Sequence, residues 1–141
     1  MMVYLDTSAI LAVLDADDQY HNVAKTQWES LLHSDTILVC SNYILVETYA
    51  LVQRRLGMGA VRLLSTDIEP IVRVIWVDEQ THRRGEAAVI AAQRKELSLV
   101  DCVSFVVMRQ AGIREVFTFD RHFAEQGFTC LPGGLPSTQQ E

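Results

Sequence analysis

Four acidic residues stand where apolar side chains are the rule. Asp6 is the only charge in residues 1–14, Glu47 the only charge in residues 36–53, and Asp101 the only charge in residues 97–108. Asp120 closes the apolar run Val116-Phe117-Thr118-Phe119 and is followed by Arg121. A carboxylate in such surroundings can cap a helix, pair with a cation, or ligate a metal. Asp6 and Asp120 fall where a strand gives way to a helix, and an N-cap there contributes about 0.5–2 kcal/mol. Ser98-x-x-Asp101 fits a capping box, in which the acid reaches back to the Ser98 backbone N–H. Glu47 has no such excuse. It lies inside a helical pattern, and its neighbours three and four residues away are Tyr43, Ile44, Ala50 and Leu51, none cationic. The apolar context predicts a buried side chain, which must meet an Arg from elsewhere in the fold or a divalent metal.

The four acids make more sense together. Carboxylates within a few ångström raise one another's pKa and are tolerable only with cations among them. An all-oxygen site of this kind suits Mg²⁺ or Mn²⁺. His21, His33 and His82 sit in polar stretches, whereas His122, two residues after Asp120, is close enough to touch a bound phosphate. A lone histidine there is more often structural. Cys40, Cys102 and Cys130 lie far apart with no C-x-x-C pair, so no zinc framework is suggested, and an odd number of free thiols fits a reducing compartment. Ser41, Ser98 and Ser104 have no His within the same motif, and no G-x-S-x-G elbow occurs, so no side-chain nucleophile stands out.

Positioning these groups requires a fold. With 141 residues, 49% apolar and 21% charged, the chain is the size of one domain and too apolar for general disorder. A chain this long buries roughly 68–70% of its extended surface without needing staples. Strands are expected at 3–5, 37–40, 71–77, 116–119 and 128–131. Helices are expected at 8–14, 20–32, 42–56, 60–64, 78–96 and 99–111, with one or two turns at 120–126. The β-branched run at 71–77 reads as a strand covered on both faces. In the helix over 78–96, Ala87, Ala88, Ile90 and Ala91 read as the inward stripe. Strand–helix alternation implies an α/β fold with a mostly parallel central sheet and helices on both faces. Ligand sites in such sheets form beyond the carboxyl ends of the strands, where all four acids can project.

At this point the sequence resembles the PIN-domain ribonucleases, and more narrowly the VapC-like toxins of type II toxin–antitoxin pairs. The resemblance runs from Val3 to about Leu131. It rests on Val3-Tyr4-Leu5-Asp6-Thr7-Ser8-Ala9, Val46-Glu47, Leu97-Ser98-Leu99-Val100-Asp101-Cys102 and Thr118-Phe119-Asp120-Arg121-His122-Phe123 in this order. Cys102 stands where the family often has Ala. The resemblance implies a three-layer α/β/α nuclease domain over residues 1–131, followed by a flexible tail at 132–141. It implies a metal-dependent endoribonuclease in which Asp6, Glu47, Asp101 and Asp120 hold Mg²⁺, or Mn²⁺, that activates water against a phosphodiester. Ser8, or Thr7, would hydrogen-bond the first acid or a bound water. A homodimer and a small antitoxin that crosses the active groove are further implications.

Composition tempers this. The net charge of −6 argues against a bulk nucleic-acid binder, although ten of the twelve basic residues are Arg. Arg54-Arg55, Arg83-Arg84, Arg94-Lys95 and Arg121 are candidate phosphate contacts, with Arg121 expected nearest the substrate because it adjoins Asp120. A haloacid-dehalogenase-like phosphatase needs a second acid two residues after the first, where this chain has Ser8. A receiver-like domain needs a Lys near the end of a late strand, and the only lysines are Lys25 and Lys95. A catalytically inactive PIN fold that binds RNA or protein is the other alternative. The N-terminus lacks a signal-peptide pattern and no apolar run reaches 18 residues, so a cytoplasmic protein with no membrane span is expected.

Overall fold

The computed structural model describes residues 1–133; of the expected tail at 132–141, residues 134–141 lie outside the described residues. Five parallel strands form one sheet in the order β3-β2-β1-β4-β5. They are β1 (Met2–Leu5), β2 (Ile37–Ser41), β3 (Arg73–Ile75), β4 (Glu115–Phe117) and β5 (Thr129–Leu131). Val3 pairs with Leu38 on one side and Glu115 on the other, so β1 is the central strand. The chain leaves β1 toward β2 and β3, then crosses back to β4 and β5. The crevice beside the carboxyl end of β1 is therefore the topological switch point, where open α/β sheets bind ligands.

Helices α1 (Thr7–Leu14), α2 (His21–Leu32), α3 (Asn42–Leu56) and α4 (Met58–Leu63) connect β1, β2 and β3. Helices α5 (Glu79–Ala92) and α6 (Leu99–Ala111) connect β3 to β4, and α7 (His122–Glu125) leads into β5. Because the first connections run along the sheet in one direction and the later ones in the other, crossovers of one hand put the two sets of helices on opposite faces, a three-layer α/β/α architecture. Capping chemistry explains the two helices that carry acids. Ser41 caps α3 by accepting from the Ile44 N–H, and Gly57 ends it at φ +87°. Ser98 and Asp101 form the expected capping box on α6, which stops at Gly112 at φ +70°. Below the site, the wholly buried Tyr4 hydroxyl joins Ser41 on β2 and Ser104 on α6 at 3.2 and 2.9 Å, satisfying a phenol that burial would otherwise penalise.

Two expectations from the sequence fail. The run at 71–77 forms only the three-residue β3, which lies at the sheet edge with Arg73 exposed rather than covered on both faces. The Asn42 side chain accepts from the Val77 N–H at 2.7 Å and takes up a donor just past the strand, while Trp76 is left 74% exposed. On α5, Ala87, Ala88, Ile90 and Ala91 point outward, and Ile90 is 73% exposed. The inward face is instead Thr81 and Gly85, with half-buried Val89 and Ala92 continuing it. The cause is close helix packing. A Cβ on Gly85 would come within 2.4 Å of the Val103 Cγ2 atom on α6.

Candidate active site

The end of β1 and the loop after β4 are laced together by two hydroxyls. Asp6 follows β1 directly and is 4% exposed. Its Oδ2 accepts from the Ser8 hydroxyl at 2.7 Å and from the Thr118 hydroxyl at 2.8 Å. Each hydroxyl also accepts a backbone N–H, Ser8 from Phe119 and Thr118 from Asp120, both at 2.9 Å. Asp6 stands at the N-cap position of α1 but makes no side-chain cap bond. Of the two residues expected to support it, Ser8 does so, whereas Thr7 turns away to the Thr48 hydroxyl at 3.0 Å. Thr118 is the support that sequence reasoning missed; a hydroxyl at a strand end, two residues before an acid, is the signal that could have marked it.

Asp101, the third residue of α6, both caps its helix and faces the acids. Its Oδ2 accepts from the Ser98 N–H at 3.1 Å. Asp120 precedes Arg121, the N-cap of α7, and its Oδ1 accepts from the His122 N–H at 2.9 Å. The same oxygen lies 2.7 Å from Nδ1 of His122, a buried residue. Donor atoms of Asp101, Asp120 and His122 all lie within 4.8 Å of one another. Glu47 is half-buried rather than buried, because its face of α3 opens onto a groove instead of the core.

Electrostatics follow from this enclosure. Burial pushes the Asp6 carboxyl up to about 7, against the lowering effect of the Ser8 and Thr118 bonds, and the charges of Asp101 and Asp120 add to the rise. Asp101 is also raised, first by burial and then by the charges of Asp120 and Glu47, with the Ser98 bonds opposing. Acids that lift one another's pKa form a site short of positive charge, and their oxygen donors fit a hard divalent cation.

The four acids share a pocket of about 480 Å³, within the range of small-ligand sites. Its wall includes Arg55, on the same face of α3 as Glu47 and Leu51, and the aromatic rings of Tyr20 and Phe119. Arg121 lies outside that wall and faces Glu125, with its Nε 3.9 Å from the carboxylate. Adjacency in the chain to Asp120 placed the expectation on Arg121, but the helical spacing from Glu47 to Arg55 is what reaches the pocket.

A parallel three-layer sheet with acids gathered at its switch point defines a class of α/β domains that present carboxylates in the crevice where such sheets bind ligands. Within that class the chain belongs to the PIN domain family, whose model matches residues 3–128. It is 34% identical over 128 residues to the 23S rRNA-specific endonuclease VapC20 of Mycobacterium tuberculosis, covering 90% of this chain and 95% of the relative. The crystal structure of that Mycobacterium tuberculosis VapC20, described as a sarcin-ricin loop cleaving toxin, superposes with a TM-score of 0.81 at 31% identity, over 90% of this chain and 96% of the other. VapBC2 from Rickettsia felis, bound to a DNA fragment from its promoter, shares the fold at a TM-score of 0.67 and 10% identity, over 92% and 97% of the two chains.

Proposed function

We propose that the protein is a Mg²⁺-dependent endoribonuclease, with Mn²⁺ able to substitute, and the toxin of a toxin–antitoxin pair. The observation that carries this reading is the buried Asp6, fixed by two hydroxyls and facing Asp101, Asp120 and Glu47 across one pocket. Asp6, Glu47, Asp101 and Asp120 would hold the cation, and His122 would be a further donor, because its ring nitrogen lies within 4.8 Å of the Asp101 and Asp120 oxygens. A cation there supplies a lowered pKa for water and compensation for the charge that builds on the phosphate. Ser8 and Thr118 keep Asp6 in one orientation, and the capping box does the same for Asp101. Support of this kind raises the precision with which ligands meet a cation.

The VapC20 relative supports structured ribosomal RNA as the substrate class, and the fold shared with VapBC2 supports a small antitoxin that covers the groove. A homodimer is supported by the uncovered apolar stripe of α5 around Ile90. Among the described residues no helix is long and apolar enough to cross a membrane. The free Cys40, Cys102 and Cys130 favour action in the cytoplasm. The catalytic unit is residues 1–131. Incubating the purified protein with total ribosomal RNA, in Mg²⁺ or in EDTA, and mapping new 5′ ends tests the reading. Discrete cuts in Mg²⁺ alone are expected; intact RNA in both conditions would leave the inactive RNA- or protein-binding module.

A further inference from the structure

Three of the four acids stand on separate elements that one phenol connects. Tyr4, on β1 two residues before Asp6, is wholly buried. Its hydroxyl donates to Ser41 Oγ at 3.2 Å and lies 2.9 Å from Ser104 Oγ. A phenol has one proton, so with that proton directed at Ser41 it accepts from the Ser104 hydroxyl. Burial raises the phenol and keeps it protonated. Ser41 ends β2 and caps α3 through the Ile44 N–H, three residues before Glu47. Ser104 lies on α6 three residues after Asp101, a spacing that puts both on one side of the helix. Both serines are fully buried.

Stability alone does not call for this arrangement. Phenylalanine would fill almost the same space, and a buried hydroxyl gains little net from its hydrogen bonds once the loss of water is counted. What the hydroxyl adds is direction. Two aligned bonds to short side chains fix where β2 and α6 sit against β1, whereas apolar packing tolerates sliding. Direction matters here because the acids repel. The charges of Asp101 and Asp120 bear on Asp6, and those of Asp120 and Glu47 bear on Asp101, so the metal-free pocket is pushed to spread its elements. Cation ligands, in contrast, have to be held to within about 0.5 Å. Thr118 ties the Asp120 backbone to Asp6. The phenol is the corresponding tie for the elements that carry Glu47 and Asp101.

We propose that Tyr4 is a positioning residue for the cation site: its hydroxyl sets the separation of β1, α3 and α6, and with it the spacing of Asp6, Glu47 and Asp101. The inference rests on the endoribonuclease reading and adds to it a residue that touches neither cation nor RNA.

Tyr4→Phe, Ser104→Ala and the double variant test the hub, each compared with the unaltered protein at a temperature where circular dichroism shows it fully folded. Mn²⁺ affinity is read by titration calorimetry, and cleavage of ribosomal RNA by single-turnover rate at saturating protein. Tyr4→Phe loses about tenfold in Mn²⁺ affinity and about tenfold in rate, while its affinity for RNA in EDTA is unchanged. Ser104→Ala shows a similar loss, and the double variant loses no more than Tyr4→Phe, since both remove one shared bond. Unchanged Mn²⁺ affinity and rate, with only the melting temperature lowered, would overturn the proposal and leave the nuclease reading intact. Losses that multiply in the double variant would overturn it too. Should Tyr4→Phe not fold, Ser104→Ala carries the same two readings with the same criteria. If the unaltered protein neither binds Mn²⁺ nor cuts RNA, the cation site itself falls and the positioning role with it.

Discussion

A carboxyl group sealed in protein and surrounded by other acids costs the fold free energy once it ionises. For Asp6 the ordinary pKa of 3.8 becomes about 7 in the folded state. Between these values the folded protein binds a proton that the unfolded chain has released, so metal-free stability falls as pH rises from about 4 to about 7. Above that the loss is complete and constant. Asp6→Asn should flatten this slope and raise the melting temperature of the metal-free protein at pH 7.5 by several degrees, as differential scanning calorimetry would show. Proton competition also predicts that Mn²⁺ affinity, measured by titration calorimetry, drops about tenfold for each pH unit below about 7. The hydroxyls that hold Asp6 are the next test at this scale. Thr118→Val removes a donor to Asp6 and an acceptor for Asp120, and should cut the cleavage rate about 10- to 100-fold with the fold retained. Thr7→Val should instead cost stability of about 1–3 kcal/mol by orphaning Thr48, and leave the rate of the folded fraction nearly unchanged.

Among the elements, α3 and α6 were legible to the residue because their ends carry side-chain or glycine punctuation: Ser41 and Gly57 on one, Ser98 and Gly112 on the other. The acids were legible for a related reason, as charges that break an apolar pattern stand out against it. The inward face of α5 was not. Periodicity weighs apolar side chains, whereas the contact with α6 is made by the missing side chain of Gly85, and the alanines that mimic a core stripe face outward. Gly85→Ala accordingly forces its new methyl onto Val103 and should destabilise the protein by about 1–3 kcal/mol, read as a lower midpoint in urea. Tyr20 was invisible because a polar connection brings it to Phe119, and nothing local in the sequence reports that long-range stack. Arg55 could have been found by counting eight residues along α3 from Glu47. Arg55→Gln should weaken binding of single-stranded RNA and lower the slope of log affinity against log salt by about 0.7.

For the whole molecule, the acidity that argued against nucleic acid becomes intelligible. The four acids proposed to hold the cation are four of the eighteen, and without them the rest of the chain carries −6 + 4 = −2. Such a protein should bind bulk nucleic acid weakly. The exposed apolar face of α5 is the other global feature; Ile90→Glu should shift the protein from dimer to monomer in sedimentation equilibrium if two copies bury that face. The central claim is that these acids assemble a cation site that cuts RNA. Cleavage of ribosomal RNA by the unaltered protein and by Asp6→Asn, each across a Mg²⁺ titration begun in EDTA, tests it most directly. Cuts that appear with Mg²⁺ in the unaltered protein and stay absent in Asp6→Asn are the expected result, and equal cleavage in EDTA or undiminished cleavage by the variant would contradict it.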